Sequence, residues 1–254
     1  MELGICYTVY NGLELLEGSI IQIYPYVDTI VLAFQEVSNT GVYSIEPRKE
    51  VERLKKKYEK ISIVEYRANP TFDTKTNELN KHNLGLKCLK KTGVSHFMMS
   101  ATDHYYNPVE FVKAKEIAND YDLTLTAMYT YYKHPTWQIT PIENYYMPFI
   151  MKLHNETEFK KGVWSLPYLV DPSVRINTFG KHYLFKESEI MMHHYSMIRN
   201  DIYNKFKNSA SSSRWGDNAK IYLDEYLNAT IDSKIAYFKG RGLKEVEDYF
   251  KLIQ

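Results

Sequence analysis

Apolar, strand-like runs alternate with amphipathic helical segments through the first 130 residues of this chain. The first two runs, Leu3–Val9 and Asp28–Phe34, are each followed by a segment that places apolar residues at helical spacing. Strands that are separated by helices usually pair in parallel, because the helix returns the chain to the same end of the sheet. The alternation therefore predicts an α/β fold, with a mostly parallel Rossmann-type sheet flanked by helices on both faces.

The second half of the chain is less regular. Prolines interrupt short aromatic segments from about Tyr132 onward, which indicates loops and strands of a mixed sheet. Farther along, we expect a helix over Ser196–Phe206, a flexible serine-rich loop at 208–216, and a C-terminal helical extension. Two helices are predicted there, marked by Ile221, Leu223, Tyr226 and Leu227 and by Leu243, Val246, Tyr249, Phe250 and Ile253.

The amino-acid composition limits the kinds of molecule that this protein is expected to bind and the compartment in which it is expected to work. Lysine and arginine total 32 against 31 acidic residues, so the net charge of +1 provides no overall attraction to nucleic acid or anionic membranes. Cys6 and Cys88 are too few for a disulfide framework or a thiolate zinc site, and we expect a protein of the reducing cytoplasm. No apolar run approaches the roughly 20 residues of a transmembrane helix. Neither Gly-x-Gly-x-x-Gly nor Gly-x-x-x-x-Gly-Lys occurs, so neither common phosphate-binding motif is present.

One acidic residue follows the buried fourth strand. The apolar run Val94–Ser100 is followed closely by Asp103, and the carboxyl end of a parallel strand is where α/β sheets bind ligands. A second polar cluster contains His193 and His194, about ninety residues later, and a carboxylate and an imidazole can share a divalent metal. Neighbouring residues of a strand face opposite ways, so we expect one histidine of the pair to be the ligand and favour His194. His104 could substitute as a ligand, but its position beside Asp103 indicates that it points away.

Several short segments, in their order and spacing, resemble a known enzyme family. They are Tyr10-Asn11-Gly12, Val27-Asp28, Asn80–Gly85, Ala101–Tyr106 and His193–Arg199. Over about residues 1–205 they resemble the GT-A glycosyltransferases of the family-2-like group, which use nucleotide-activated sugars. The resemblance implies a nucleotide-sugar-binding half over 1–130 and an acceptor half over 131–205, with 206–254 packed on this catalytic domain.

The resemblance also assigns residues to the donor site. Ala101 replaces the first acid of the family's Asp-x-Asp motif, so Asp103 alone remains to meet Mn²⁺ or Mg²⁺. The second strand ends in Phe34-Gln35-Glu36 rather than the family's paired acids, so Gln35 or Glu36 is expected to contact the base. The complete set of expected donor-binding residues is Thr8, Tyr10, Asn11, Gln35, Glu36, Asn83, Thr102, Arg199, Arg214 and Trp215.

These residues predict a metal-dependent glycosyltransferase. The cation would act as a Lewis acid on a nucleoside-diphosphate leaving group, and Arg199, Lys205 and Arg214 could add positive charge at its phosphates. A carboxylate must deprotonate the acceptor hydroxyl if the transfer is inverting, and Glu143 and Asp171 are the candidates. The expected acceptor is a glycan, a lipid-linked saccharide or a related hydroxyl compound.

Two other functions remain open from the sequence. Residues 1–38 resemble glycosyltransferase-like proteins encoded by bacteriophages, some of which modify hydroxylated bases in DNA, and the basic helix over Arg48–Lys60 could steer a nucleic-acid acceptor. Alternatively, Ala101 motivates a degenerate relative that binds nucleotides without turnover. The sequence does not predict an oligomeric state.

Overall fold

The computed structural model of the protein describes residues 1–162, 164–177, 180–208 and 218–252. Among these residues the strands are β1 Leu3–Val9, β2 Thr29–Phe34, β3 Ile61–Glu65, β4 His96–Ala101, β5 His104–Tyr105, β6 Leu123–Tyr132, β7 His134–Thr140, β8 Tyr146–Lys152, β9 His182–Leu184, β10 Met192–Met197 and β11 Gly242–Glu245. The helices are α1 Leu13–Ile23, α2 Glu46–Lys57, α3 Thr74–Lys90, α4 Pro108–Ala118, α5 Ile202–Asn208 and α6 Asn218–Asn228. Short 3₁₀ turns cover Tyr24–Tyr26, Pro172–Val174 and Ala236–Phe238.

The central sheet has a parallel half and an antiparallel half. Strands β3, β2, β1 and β4 lie side by side and pair in parallel, and the sheet continues through β8, β6, β7 and β11 in antiparallel pairings. Thr8 of β1 lies opposite both Ala33 of β2 and Ala101 of β4. The carboxyl ends of three parallel strands therefore meet at one edge, and the predicted α/β class is confirmed.

Local sequence signals place the helices that flank the parallel half. The side chain of Asn107 accepts hydrogen bonds from the first amides of α4, and Pro108 provides its first residue. Asp73 caps α3 in the same way, accepting from Thr76 N at 2.8 Å. Gly85 then allows α3 to lie directly on the sheet, because a Cβ at this position would be 2.1 Å from Cys6 Sγ.

The predicted helix over Ser196–Phe206 is wrong in its first half. The chain forms β10 up to Met197, with His194 and Ser196 less buried than their neighbours, and only α5 is helical. The alternating burial matches a strand, and β10 gains backbone partners on both sides from β5 and β6. Tertiary pairing therefore overrides local helical spacing here.

The second predicted C-terminal helix, over Leu243–Ile253, is also wrong. Its first residues form β11, which pairs antiparallel with β7, and the backbone of Val246 continues this pairing to Thr136. Phe250 then packs against the ring of His193, at a centroid distance of 5.0 Å. The first C-terminal helix is present as α6, whereas most of the predicted serine-rich loop lies outside the described residues. No described helix has both the length and the apolar character needed to cross a membrane.

Candidate functional site

The turn after β4 brings Asp103 to the carboxyl edge of the parallel strands. Thr102 Oγ1 donates to the carbonyl of Asn11 at 2.8 Å, which ties this turn to the turn after β1. The amide of Tyr195 donates to the carbonyl of Asp103 at 2.9 Å. The pairing of β5 with β10 sets His104 opposite His194, so residues about ninety positions apart meet at one point.

Two cationic side chains lie close to the carboxylate of Asp103. Arg199 Nη2 donates a short hydrogen bond to Oδ2, and Lys205 Nζ lies 4.0 Å from the same oxygen. The side chains of Asp103 and Arg199 are only 7% and 3% exposed. Burial alone would raise the pKa of Asp103, but Arg199 and the other cationic groups hold that pKa well below its usual range. Asp103 is therefore an ionised carboxylate inside the protein.

Arg199 is fixed by a close approach of the turn after β1. Gly12 has φ +71, and a Cβ built there would be 2.7 Å from the Arg199 Cζ. Both the left-handed backbone and the lack of space favour glycine at this position. Weak hydrogen bonds from Nη1 to the carbonyls of Tyr195 and Ile198, at 3.5 and 3.4 Å, also hold the guanidinium, whereas its buried Nε has no hydrogen-bond partner among the described residues.

Asp103, His104 and His194 form a candidate metal-binding cluster, with one ligand atom of each within 4.8 Å of the others. The expectation that His104 points away is wrong, since its Nε2 is 3.7 Å from Asp103 Oδ1. However, His104 Nδ1 accepts from the amide of Ala101 at 3.3 Å, so the neutral ring carries its proton on Nε2, the nitrogen that faces the carboxylate. His104 is thus better suited to donate to Asp103 than to bind a metal.

His194 has the properties of a ligand. Burial lowers its pKa to about 3, so the ring is neutral, and the ring makes no hydrogen bond within the described part of the chain. Oδ2 of Asp103 accepts from Arg199, and Oδ1, which His104 Nε2 faces at 3.7 Å, has a second lone pair that could bind a cation together with a nitrogen of His194. One carboxylate oxygen and one imidazole fit Mn²⁺ or Mg²⁺ when substrate oxygens and water supply the other ligands.

His193 lies on the opposite face of β10, outside this cluster. Its Nδ1 is 2.7 Å from the hydroxyl of Tyr131, and the two rings are stacked with centroids 5.8 Å apart. The residue is 5% exposed and packs against Phe250 on its other side. The structure thus separates the histidine pair as strand alternation predicts, with His194 towards Asp103.

A cavity of about 510 Å³ opens above this edge of the sheet. It is lined by eleven of the residues that the sequence nominated for the site. These are Thr8, Tyr10, Asn11, Gln35, Thr102, Asp103, Glu143, Asp171, His194, Arg199 and Lys205.

Two nominated donor residues, Glu36 and Asn83, do not line this cavity. Glu36 accepts from Arg48 Nε at 2.5 Å, which directs its carboxylate to α2. The side-chain amide of Asn83 pairs with both backbone groups of Phe159, at 2.8 and 2.9 Å, and so joins α3 to a later loop. Arg214 and Trp215 lie outside the described residues.

Helix α3 contributes cavity residues that the sequence analysis did not nominate. Lys75, Glu78, Lys81 and His82 all line the cavity, and Lys81 is only 7% exposed. Burial lowers the pKa of Lys81 to about 8. Their spacing in the sequence could have identified them. Polar residues recur every three to four positions on the helix face that usually carries apolar residues.

The two candidate bases differ in their surroundings. Asp171 accepts hydrogen bonds from Lys75 at 3.0 Å and from the amide and hydroxyl of Ser173 at 2.8 and 2.7 Å. Burial raises its pKa, but Lys75 and Ser173 outweigh this and lower it to about 2. Glu143 accepts one hydrogen bond, from Thr130 at 3.1 Å, and is partly exposed to the cavity. Glu143 is therefore the better placed proton acceptor.

The fold is shared with solved structures. The match to S. aureus TarS 1-349 has a TM-score of 0.51 at 10% sequence identity, and it covers 89% of this chain and 77% of that chain. The chain has the fold of TarS. No family model and no curated protein matches the sequence.

Two further matches have bound ligands named with them. TarS 1-349 in complex with UDP-GlcNAc matches with a TM-score of 0.49 at 14% identity, over 90% of this chain and 72% of that chain. The mannosyltransferase PcManGT from Pyrobaculum calidifontis, in complex with GDP-Man and Mn²⁺, matches with a TM-score of 0.36 at 12% identity, over 53% and 36%. The chain spans between 36% and 77% of the TarS chains that it matches.

Proposed function

We propose that this protein is a glycosyltransferase that moves a hexosyl or pentosyl group from a nucleoside-diphosphate sugar to a hydroxyl of a glycan or related acceptor. The observation that carries the proposal is the convergence of Asp103, His194 and Arg199 at the carboxyl edge of the parallel strands, inside a cavity of about 510 Å³. A buried carboxylate, a neutral imidazole and a guanidinium together suit a diphosphate that is bound with a divalent cation.

Asp103 Oδ1 and His194 would hold Mn²⁺ or Mg²⁺ beside the diphosphate. When bound, the cation supplies Lewis-acid stabilisation of the charge that develops on the leaving group. Arg199 faces the same point and orients Asp103 through Oδ2. Thr8, Tyr10 and Gln35 lie at the ends of β1 and β2, line the same cavity and would contact the nucleoside.

Glu143 would accept the proton of the acceptor hydroxyl. It lines the same cavity as Asp103 and is free of the lysine contact that makes Asp171 a weak base. The neutral analogue Glu143→Gln is expected to lower kcat at least about 100-fold while donor affinity is kept, since general-base catalysis contributes about 10²–10⁴-fold. Asp171→Asn is expected to weaken the junction with α3 and to affect kcat much less.

The test is release of a nucleoside diphosphate when the protein is incubated with Mn²⁺, a panel of uridine- and guanosine-diphosphate sugars, and saccharide acceptors. His194→Asn is expected to abolish the metal-dependent reaction, whereas its matched control His193→Asn retains it because that ring faces the other side of β10. Equal activity of the two variants would refute the proposed cation site. Donor binding without turnover under every condition would favour the non-catalytic alternative.

The described residues offer no specific support for a DNA acceptor. Several basic residues of α2 are held in ion pairs: Arg48 with Glu36 and Glu65, and Arg53 with Glu17 and Glu50. Their charge is largely compensated locally, which weakens the attraction to phosphates that a nucleic-acid surface requires. A glycan or related hydroxyl compound is therefore the acceptor proposed here.

A further inference from the structure

A row of methionines crosses the floor of the cavity. Strands β4, β8, β6 and β10 are neighbours in that order, and Met192 of β10 lies opposite Met128 of β6, as His194 lies opposite Thr130. Because every second residue of a strand shares a face, Met192 and His194 point into the same cavity. Each of the four strands contributes one methionine that lines the cavity and is at most 9% exposed, and together we call them the methionine floor: Met99, Met147, Met128 and Met192.

Two residues of the methionine floor lie beside the proposed proton acceptor. Glu143 accepts a hydrogen bond from Thr130 at 3.1 Å, and Met128 precedes Thr130 by two residues on the same face of β6. Met147 lies on the neighbouring strand β8, opposite Thr126. The proposed nucleoside contacts, by contrast, lie at the ends of β1 and β2, on the far side of β4 from these strands. A compound whose hydroxyl reaches Glu143 would therefore lie over Met128 and Met147.

The chemistry of the methionine floor favours an apolar group. A thioether is only a weak hydrogen-bond acceptor and has no donor, so a hydroxyl pressed against it would lose hydrogen bonds to water without replacement. An apolar group placed there would instead be removed from water at a gain. Methionine side chains are also flexible, so they can adapt to an apolar group of irregular shape.

The charged groups of the cavity balance one another. Among the described residues that line it, four side chains are basic and four are acidic. The basic ones are Lys75, Lys81, Arg199 and Lys205, and the acidic ones are Glu78, Asp103, Glu143 and Asp171. The divalent cation of the proposed function would in turn offset the charge of the sugar diphosphate. No surplus of positive charge remains among these residues to attract an anionic acceptor.

We propose that the acceptor is an uncharged compound with an apolar group next to its accepting hydroxyl, and that Met128 and Met147 select for this group. The inference rests on the proposed function and names its acceptor class. In the transfer, the acceptor oxygen bonds to the anomeric carbon and its proton passes to Glu143. The bond from the anomeric carbon to the β-phosphate oxygen breaks, and that oxygen keeps the electron pair. Met128 and Met147 take no part in these bond changes and act on specificity alone.

The experiment compares acceptors that differ only in their apolar group. The wild-type protein is incubated with Mn²⁺, a panel of uridine- and guanosine-diphosphate sugars, and the methyl and phenyl β-glycosides of glucose, galactose and N-acetylglucosamine. We expect kcat/KM to be about 10- to 100-fold higher for the phenyl member of the accepted pair, which is the effect of burying one aromatic ring. Glucose 6-phosphate, the charged acceptor, is expected to be a poorer substrate than glucose.

Variants of the methionine floor test which residues select the acceptor. Met128→Gln and Met147→Gln keep the length of the side chain but add an amide, and each is expected to lower the ratio of kcat/KM for the phenyl and methyl glycosides by at least about threefold. Met128→Leu is the matched control, because it stays apolar at similar volume and should keep the ratio. A merely structural role would lower kcat/KM for both glycosides equally and leave the ratio unchanged.

The outcomes separate this inference from the proposed function. Donor hydrolysis or transfer with no preference for a phenyl glycoside would overturn the acceptor class while leaving the donor chemistry intact, and so would faster transfer to glucose 6-phosphate than to glucose. A ratio that stays at the wild-type value in both glutamine variants would overturn the role of Met128 and Met147. Absence of nucleoside-diphosphate release from every donor, with water or any glycoside as acceptor, would overturn the proposed function itself.

Discussion

The contact between α3 and the sheet can be tested at a single glycine. Gly85 faces β1, and a Cβ at this position would lie 2.1 Å from Cys6 Sγ and 3.6 Å from Ala33 Cβ. Cys6 is fully buried, and its strand is paired on both sides by β2 and β4, so neither its side chain nor its backbone has room to withdraw. Gly85→Ala is therefore expected to destabilise the protein.

The magnitude follows from two opposing effects. Atoms in contact are separated by about 3.5–4.0 Å, so the new methyl group is about 1.5 Å too close to sulfur. Overpacking of this kind costs about 1–3 kcal/mol, and replacing glycine by alanine within a helix returns about 1 kcal/mol. The two effects together give an expected net loss of up to about 2 kcal/mol. In a Cys6→Ala background the sulfur is gone, and Gly85→Ala is expected to be neutral or stabilising by up to about 1 kcal/mol.

Urea denaturation of the wild-type protein, both single variants and the double variant gives the complete cycle. The diagnostic result is a reversal of sign: Gly85→Ala destabilises the protein that keeps Cys6 and no longer destabilises the Cys6→Ala variant. Equal effects of Gly85→Ala in both backgrounds would show that α3 does not approach β1 through this pair. The approach of α3 would then need another explanation.

Three further predictions concern the site and its supports. Gly12→Ala is expected to cost about 1–3 kcal/mol in urea denaturation and to weaken donor binding, because φ is +71 and the methyl group would meet Arg199 at 2.7 Å; wild-type behaviour would refute this. Asn83→Ala is expected to cost about 1–3 kcal/mol through its two bonds to the backbone of Phe159, with calorimetric donor affinity unchanged, and a selective loss of affinity would contradict it. Burial lowers the Lys81 pKa from 10.5 to about 8, so the unfolded chain binds more protons between these values and wild-type stability rises with pH. At about 1.4 kcal/mol per pKa unit, Lys81→Met is expected to be roughly 3 kcal/mol more stable than the wild-type protein at pH 7. The difference in unfolding free energy between the two proteins is expected to narrow by pH 10.5. A difference that stays constant with pH would refute this.

The parallel half of the fold was predictable because its signals are local. Continuous apolar runs such as Leu3–Val9 indicate strands buried on both faces, and Asn107-Pro108 marks the start of a helix within three residues. The C-terminal part was less predictable. Leu243 and Val246 are spaced as on a helix, yet their backbones pair with β7, and nothing in their own segment encodes that partner.

Some residues of the candidate site could be predicted because a local sequence pattern indicates them. Asp103 is an acid after a buried strand, and His194 follows from strand alternation once β10 is known. The position of His104 was not predictable, because a two-residue strand, β5, turns its ring towards Asp103 through pairing with a segment about ninety residues away. The carboxylate of Glu36 lies away from the cavity for a similar reason, since it accepts a hydrogen bond from Arg48 of α2.

The ion cluster at Asp103 is better explained by ligand binding than by stability. A buried ion pair often contributes less to stability than apolar residues of the same volume, because both charges lose their hydration. Here a second cation, Lys205, lies 4.0 Å from the same carboxylate oxygen, and the buried Nε of Arg199 has no hydrogen-bond partner among the described residues, which adds to that cost in the free protein. A charge that destabilises the free protein and points into a cavity is compensated when an anion binds. Ligand-dependent stabilisation by UDP or GDP that disappears in Lys205→Gln but persists in Lys207→Met would follow from this, and its absence would leave the cost of the ion cluster unexplained.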